Sequence, residues 1–297
     1  MDFGDLFVQF LSGLSRGMIL FLLASGLSLI FGALRVLNFA HGSFYMISAY
    51  LSYALVTTLQ DFPLVGFWVA LAVAPVAIGL LGGVVEFAFF RHLYARELEY
   101  QLLLTYGLVL IFSDVVRFIW GEDYLSVSRP AVLAGPVFVF GKPVPVYIVF
   151  LIVMAGLIGA GLWLLLYRTK LGRTVRAVVY DRHMVSALGI NVPRMYSLVF
   201  ALGCWLAGLA GGLMAPMGSL TLGMDVEIIV ECFVVVVVGG MGSILGALLG
   251  ALLIGELYAF GILIVPRAAL AFMFLAMTVV LVIRPWGLLG KPEKERA

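Results

Sequence analysis

The stretch 230–255 reads VECFVVVVVGGMGSILGALLGALLIG, and it decides the fold class of the chain. Within it only Glu231 carries a charge at neutral pH, and the other residues are apolar or small. About 20 such residues in a helix cross the ~30 Å hydrocarbon core of a bilayer. Comparable runs recur along the chain, so the sequence predicts an all-α, polytopic transmembrane helical bundle.

The composition agrees with a membrane protein. Of the 297 residues, 64% are hydrophobic and 11% are charged, with a mean hydropathy of +1.16; soluble domains carry about 25% charged residues. We expect one transmembrane domain over 1–297 with about eight spans, in a range of seven to nine. The predicted spans lie near 10–34, 43–60, 64–90, 102–120, 146–167, 195–216, 227–262 and 267–283.

The segment 227–262 is predicted to be interrupted near 239–243. Paired glycines unwind a helix at about 1 kcal/mol each. Non-helical backbone in a membrane is tolerated where it is buried in protein or lines a wet cavity, so this break is a candidate element of a translocation path. A tight turn between two spans explains the same glycines equally well. The residues concerned are Gly239, Gly240, Gly242 and Ser243.

The charges between the spans predict the orientation. Basic residues concentrate in 91–96, in 168–194 and in the tail from Arg284 onward, whereas the other connections are acidic or nearly neutral. The positive-inside rule places the basic connections in the cytoplasm. The N-terminus is then outside, the C-terminus is cytoplasmic, and the number of crossings is odd.

Two polar groups within apolar surroundings call for an explanation. In the stretch LNFAHGSFY, residues 37–45, Asn38 is predicted to cap the following helix together with Gly42 and Ser43. His41 is either a proton-linked switch or a solvated interfacial side chain. Glu231 lies deeper than Glu227 and is a candidate for pointing into a translocation path. Asn38, His41 and Glu231 therefore join the glycines as candidate path residues.

The sequence lacks the motifs that nucleotide hydrolysis and metal binding would require. The string nearest to a phosphate-binding loop is GPVFVFGKPV at 135–144. It has five residues between its glycines, and Pro143 stands where that motif has a hydroxyl residue that binds the metal ion. The three histidines are scattered along the sequence, which argues against a metal site. The net charge of +2 is too small to indicate binding to nucleic acid. We therefore predict no catalytic, cofactor-binding or metal-binding residue.

The basic segment 168–194 is expected to form one or two short amphipathic helices on the cytoplasmic surface. Apolar residues recur among its arginines, Gly189 stops the helix and Pro193 opens the next one. If this segment were only a basic linker lying on anionic lipid headgroups, it would need positive charge but no apolar face. The defined apolar face favours docking into a groove of a partner protein.

The chain resembles a known family through several motifs. LNFAHGSFYMISAYL, LGRTVRAVVYDRHMVSALGI, FALGCWLAGLAGGLMAP and VVVVVGGMGSILGALLGALLIGELY are similar to the shorter permease subunit of branched-chain amino-acid type ABC transporters, and the resemblance extends to RPWGLLG near the C-terminus. It implies a permease of the bacterial inner membrane that imports branched-chain or other small amino acids or related small organic solutes. Mapped onto this chain, the ATPase-coupling residues are Gly172, Arg173, Arg176, Asp181, Arg182, Leu188, Gly189 and Ile190.

The resemblance also implies partners. They are a second, paralogous permease subunit, two ABC ATPase subunits, a periplasmic substrate-binding protein and membrane lipid. ATP and Mg²⁺ would be bound by the ATPase subunits, so no cofactor is expected in this chain, which would not be an enzyme. The alternative is a stand-alone ion-coupled secondary transporter or channel that uses Glu231, Glu227 or His41 as its coupling group.

Overall fold

A computed structural model describes residues 2–94 and 96–290, except for the side chains of Pro63 and Leu64. The basic tail residues after Gly290 lie outside the described residues. The described part of the chain forms eleven α-helices: α1 (Phe3–Leu34), α2 (His41–Thr58), α3 (Pro63–Ala88), α4 (Leu98–Trp120), α5 (Val146–Arg168), α6 (Lys170–Tyr180), α7 (Arg182–Ala187), α8 (Val192–Met214), α9 (Met224–Gly239), α10 (Ile244–Ile264) and α11 (Ala269–Ile283).

Within the described residues, seven helical segments are long and apolar enough to cross a membrane, namely α1, α3, α4, α5, α8, α10 and the segment Pro266–Ile283, which includes α11. The predicted all-α polytopic bundle is therefore confirmed. The predicted segment 227–262 consists of two antiparallel helices, α9 and α10, separated by the turn that follows Gly239. At 16 residues α9 extends about 24 Å, less than the ~30 Å hydrocarbon core.

Helix α1 forms the centre of the bundle. From Gly17 to Ala33 it carries no charged side chain, and nearly all of these residues are buried, as expected for a helix surrounded by other helices. It packs against α10, α8, α5 and α9. Its first turn is held by a capping box between Asp2 and Asp5.

Small residues allow the central helices to approach closely. A Cβ atom added to Gly17 of α1 would lie 2.8 Å from the carbonyl oxygen of Ala251 in α10. On the other side of the bundle, a Cβ atom on Gly211 of α8 would lie 2.2 Å from the carbonyl oxygen of Tyr45 in α2. These separations are shorter than van der Waals contact, so the helices pack backbone to backbone at these glycines.

Short strands cover one end of the bundle. Strand β1 (Leu125–Ser126) pairs with β4 (Ser219–Leu220), and β2 (Pro136–Val139) forms an antiparallel hairpin with β3 (Lys142–Pro145). The string 135–144 is thus a β-hairpin. Its turn, Phe140–Gly141, has positive φ angles of 50° and 76°, and the Phe140 ring packs edge-on against Phe3 of α1. We call this the hairpin end of the bundle.

The basic connections meet at the opposite end. Leu34 at the end of α1 packs with residues of α6, α7 and α8, and with Tyr94 of the connection between α3 and α4. The turn between α9 and α10 also lies at this end, since Gly242 contacts Gly32. We call it the basic end. The segments that the charge pattern predicts on one side of the membrane therefore lie together.

Candidate translocation and coupling sites

A cavity of about 250 Å³ lies among α1, α2, α5, α8, α9 and α10. Four of its six polar lining side chains come from α1, whereas α5, α8 and α9 contribute only apolar ones. The α5 residues come from the start of that helix and the α8 residues from its end, so the cavity lies towards the hairpin end. The polar lining side chains are Gln9, Ser12, Ser15, Arg16, Tyr45 and Tyr258.

An ion pair stands at the polar wall. Nη2 of Arg16 donates to Oε1 of Glu231 at 2.5 Å, and the guanidinium carbon lies 3.6 Å from the ring centre of Tyr258. The Glu231 side chain is 8% exposed and that of Arg16 is 30% exposed. Arg16 is among the side chains that line the cavity, whereas Glu231 is connected to it through its contact with Arg16.

The segment after α1 turns back into the bundle, which corrects the expectation for His41. Nε2 of His41 lies 3.1 Å from the carbonyl oxygen of Leu23, and His41 is fully buried. Leu23 precedes the end of α1 at Leu34 by about 16 Å along the helix axis. His41 is therefore an interior residue and not a solvated interfacial one, because the chain from Arg35 to Ala40 runs back beside α1 before α2 begins.

The expected cap by Asn38 is also not formed. The residue before α2 is Ala40, which has no side-chain cap hydrogen bond. Both polar side-chain atoms of Asn38 are buried without a hydrogen-bond partner among the described residues. Ser43 instead donates to Oδ2 of Asp225 at 2.9 Å, which joins the start of α2 to the start of α9. Asp225 is not among the residues that the sequence singles out.

The glycine-rich break forms a closed turn at the basic end and does not interrupt a helix at mid-depth. The backbone N–H groups of Leu288 and Leu289 donate to the carbonyl oxygens of Val238 and Gly239, so the C-terminal segment covers the turn. Gly240 adopts φ 102°, and Ser243 caps α10 by accepting from the N–H of Gly246 at 3.0 Å. The geometry is that of a tight turn between two helices; a role in translocation stays a prediction.

The basic segment forms two short helices, α6 and α7, as expected. Thr169 caps α6 by accepting from the N–H of Gly172 at 3.2 Å, and Asp181 caps α7 by accepting from two backbone N–H groups at 2.9 Å each. A Cβ atom on Gly172 would lie 2.2 Å from the carbonyl oxygen of Leu166. Gly189, with φ 81°, turns the chain after α7 towards α8.

The two short helices have one face packed against the bundle and one face exposed. Val178 and Val185 are buried with Tyr196, and Ile190 packs partly against them. The outward face is apolar at its centre and carries the exposed Arg173 and Arg182 beside it. Arg176 is turned back onto α5, where its Nη1 donates to the carbonyl oxygen of Leu166 at 2.9 Å. The apolar side chains of the outward face, which we call the docking face, are Val179, Tyr180, Met184 and Leu188.

Comparison with known proteins gives the family. The family model for "Branched-chain amino acid transport system / permease component" matches residues 9–283. The chain belongs to this family. It is the permease subunit of an importer of the ATP-binding-cassette class.

The curated relatives cover this permease almost end to end. BraD of Pseudomonas aeruginosa, a high-affinity branched-chain amino acid transport system permease protein, is 32% identical over 97% of both chains. LivH of Escherichia coli K12, described in the same words, is 27% identical over 97% of this chain and 96% of its own. The ribose import permease protein RbsC of the same organism is 29% identical over 81% and 71%. No solved structure gives a significant match.

At the basic end of the permease, a buried carboxylate links α3 to α8 and to the connection between α3 and α4. Glu86 of α3 is fully buried and accepts a hydrogen bond of 2.7 Å from the Tyr94 hydroxyl. Its second oxygen accepts from the hydroxyl of Ser197 in α8. Burial, and then the hydrogen bond to Glu86, raises the pKa of the Tyr94 hydroxyl, which therefore remains a protonated donor at physiological pH.

The sequence pattern misses Arg16, although a signal for it exists. Arg16 is the only Lys or Arg within the predicted span 10–34. A charge inside a span costs roughly 2.5–3.5 kcal/mol on insertion scales and needs a partner. Its partner is 215 residues away in the chain, so the spacing of residues along one helix does not reveal it.

Proposed function

We propose that this permease forms the translocation path of an ATP-driven importer of branched-chain or other small amino acids, or of related small organic solutes, in a bacterial inner membrane. The similarity to BraD and LivH, which are branched-chain amino acid permeases, supports the amino-acid class. The mixed polar and apolar lining of the cavity fits a small solute with charged and aliphatic parts.

The observation that carries the proposal is the connection between the docking face and the cavity. Helices α6 and α7 are strung between the end of α5 and the start of α8. Ile148 near the far end of α5 and Met214 at the far end of α8 line the cavity. Both helices have 23 residues and extend about 34 Å, so a displacement of the docking face is transmitted across the bundle.

The mechanism follows from this connection. An ATPase subunit that holds the apolar docking face moves α6 and α7 when nucleotide closes the ATPase pair. Helices α5 and α8 then shift against α1, and the cavity changes the side to which it is open. The close glycine contacts between helices permit such sliding without opening voids.

We infer the following partners and orientation. Two ATPase subunits bind at the basic end, a second paralogous permease packs alongside, and a substrate-binding protein delivers solute at the hairpin end. The basic end, with the C-terminus, faces the cytoplasm, and the N-terminus faces outside. ATP and Mg²⁺ are bound by the ATPase subunits, so this chain supplies no catalytic group and no cofactor site.

Reconstitution separates this proposal from a stand-alone ion-coupled transporter. Proteoliposomes that contain the complete transporter, its binding protein and internal ATP are expected to accumulate radiolabelled leucine, isoleucine or valine. Proteoliposomes with this permease alone are expected to accumulate none under a proton or sodium gradient. Gradient-driven uptake by the permease alone would overturn the proposal.

The structure does not favour the ion-coupled alternative at two of its three named groups, Glu231 and His41. Glu231 is paired with Arg16, and the ring of His41 contacts a backbone carbonyl oxygen. In the absence of solute, each of these side chains therefore has a protein partner and is not left free to bind a coupling ion. The ATP-driven proposal needs neither residue to titrate.

A further inference from the structure

The ion pair between Arg16 and Glu231 is only partly satisfied. One hydrogen bond joins Nη2 of Arg16 to Oε1 of Glu231. Nε of Arg16 and Oε2 of Glu231 are buried and have no hydrogen-bond partner among the described residues. A guanidinium and a carboxylate often bind through two parallel hydrogen bonds. Both groups therefore retain unused hydrogen-bonding capacity beside the cavity.

We propose that Arg16 and Glu231 bind the α-carboxylate and the α-ammonium group of a free amino acid, and that the solute separates the ion pair as it binds. This inference rests on the proposed function and assigns the residues that recognise the solute. The Arg16 guanidinium presents a planar fork that matches a carboxylate. When it turns from Glu231 towards the solute carboxylate, the freed Glu231 carboxylate accepts the ammonium group.

Charge balance explains why a zwitterion fits this site. Removing one partner from a buried ion pair leaves an uncompensated charge, which is strongly unfavourable. A solute with both charges supplies a new partner to each residue, so no charge remains unpaired. A solute with only one charge satisfies Arg16 or Glu231 and leaves the other without a partner.

The rest of the cavity accommodates an aliphatic side chain. Ile148 and Leu151 of α5, Met214 and Met217 around the end of α8, and Ile228 of α9 form its apolar wall. Its volume of about 250 Å³ is below the ~300–1,000 Å³ of drug-sized pockets, which suits a solute of amino-acid size. Methionine side chains adapt to apolar groups of different shape.

In the absence of solute the same pair keeps the site neutral. Arg16 lies over the Tyr258 ring and is bonded to Glu231, so neither charge is left free to attract small ions. The site therefore presents two charges only to a solute that can replace both contacts.

A comparison of ligands on the wild-type protein tests the inference without substitutions. The Tm of the detergent-purified complex of the permeases and ATPases, without binding protein, is measured in the presence of millimolar leucine, 4-methylpentanoate or 3-methylbutylamine. These compounds share the aliphatic chain and differ in their charged groups. Leucine is expected to raise Tm, and the two single-charge analogues are not. Equal shifts from all three, or no shift from leucine, would overturn the inference.

Charge-removing variants supply a second test with a matched control. Arg16→Gln and Glu231→Gln are each expected to lower the initial rate of ATP-driven leucine uptake by about tenfold or more, as losing ~1.4 kcal/mol of binding would do. Glu99→Gln removes an exposed carboxylate of α4, away from the cavity, and is expected to keep uptake within about twofold. Basal ATP hydrolysis reports assembly of each variant.

The outcomes separate the two claims. If the wild-type transporter shows no ATP-driven amino-acid uptake, the proposed function fails. If the wild type transports leucine and both Arg16→Gln and Glu231→Gln transport it at the wild-type rate, only the inference fails. Should either variant not assemble, the ligand comparison on the wild type decides.

Discussion

The hydroxyl of Tyr94 lies 2.7 Å from Oε1 of Glu86 and joins the connection between α3 and α4 to the body of α3. The ring of Tyr94 packs edge-on against Tyr196 of α8, with 5.2 Å between ring centres. Val178 and Val185 of the two short helices pack in the same cluster. A displacement of the docking face therefore reaches α3 and α8 through Tyr94 and Glu86.

Replacing Tyr94 by Phe is expected to weaken this connection. The buried Glu86 carboxylate loses one of the two hydrogen-bond donors that it has among the described residues, which costs about 1–3 kcal/mol of stability. Thermal unfolding in detergent should show a lower Tm, and fewer solute molecules should be transported per ATP hydrolysed. Tyr106→Phe, at a side chain exposed on α4, is the control and should change neither. Identical behaviour of the two variants would contradict this role for Tyr94.

Replacing Gly172 by Ala is expected to disturb the turn from α5 into α6. The added Cβ atom would lie 2.2 Å from the carbonyl oxygen of Leu166 and 2.4 Å from that of Leu165, and backbone atoms cannot move aside as side chains do. Overpacking of this kind costs about 1–3 kcal/mol. Size-exclusion chromatography should show less ATPase bound. Gly161→Ala, where no atom outside the adjacent backbone of its own helix lies within 4 Å of the new Cβ atom, should retain full binding.

Replacing Leu188 by Asp is expected to prevent ATPase association while leaving the permease folded. Leu188 is 73% exposed on the docking face, so the charge costs little in the free permease. In the complex it would be desolvated without a partner, which is worth several kcal/mol. Co-purification of ATPase subunits should fall by about tenfold or more. Phe138→Asp, at an exposed side chain of the hairpin end, should not change the amount co-purified.

Replacing Ser43 by Ala is expected to destabilise the meeting point of α2 and α9. Asp225 is 2% exposed, and the Ser43 hydroxyl is its only side-chain hydrogen-bond partner among the described residues. Loss of that donor costs about 1–3 kcal/mol. The Tm of the purified permease should fall, whereas Ser126→Ala at an exposed position of β1 should leave it unchanged. A shift no larger than that control would show that Asp225 needs no donor from Ser43.

The sequence predicts the helices well and their interior contacts poorly. The helix boundaries and the two short basic helices follow from hydropathy, from Pro193 and Gly189, and from the alternation of charge, all of which are local signals. The burial of His41 does not follow, because nothing local shows that the chain turns back beside α1 after Arg35. The pairing of Arg16 with Glu231 likewise depends on how α1 and α9 pack, which no single segment specifies.

The central claim is that the docking face lies in the cytoplasm and binds an ATPase subunit. Both native cysteines, Cys204 and Cys232, are fully buried, so they give little background with a membrane-impermeant maleimide. Leu188→Cys is labelled in right-side-out and inside-out vesicles, with and without the ATPase subunits, and Phe138→Cys serves as the control for the opposite face.

We predict that Cys at position 188 reacts only in inside-out vesicles and is protected when the ATPase subunits are present, and that Cys at position 138 reacts only in right-side-out vesicles. Labelling of position 188 from the outer face, or labelling that the ATPase subunits leave unchanged, would contradict the account.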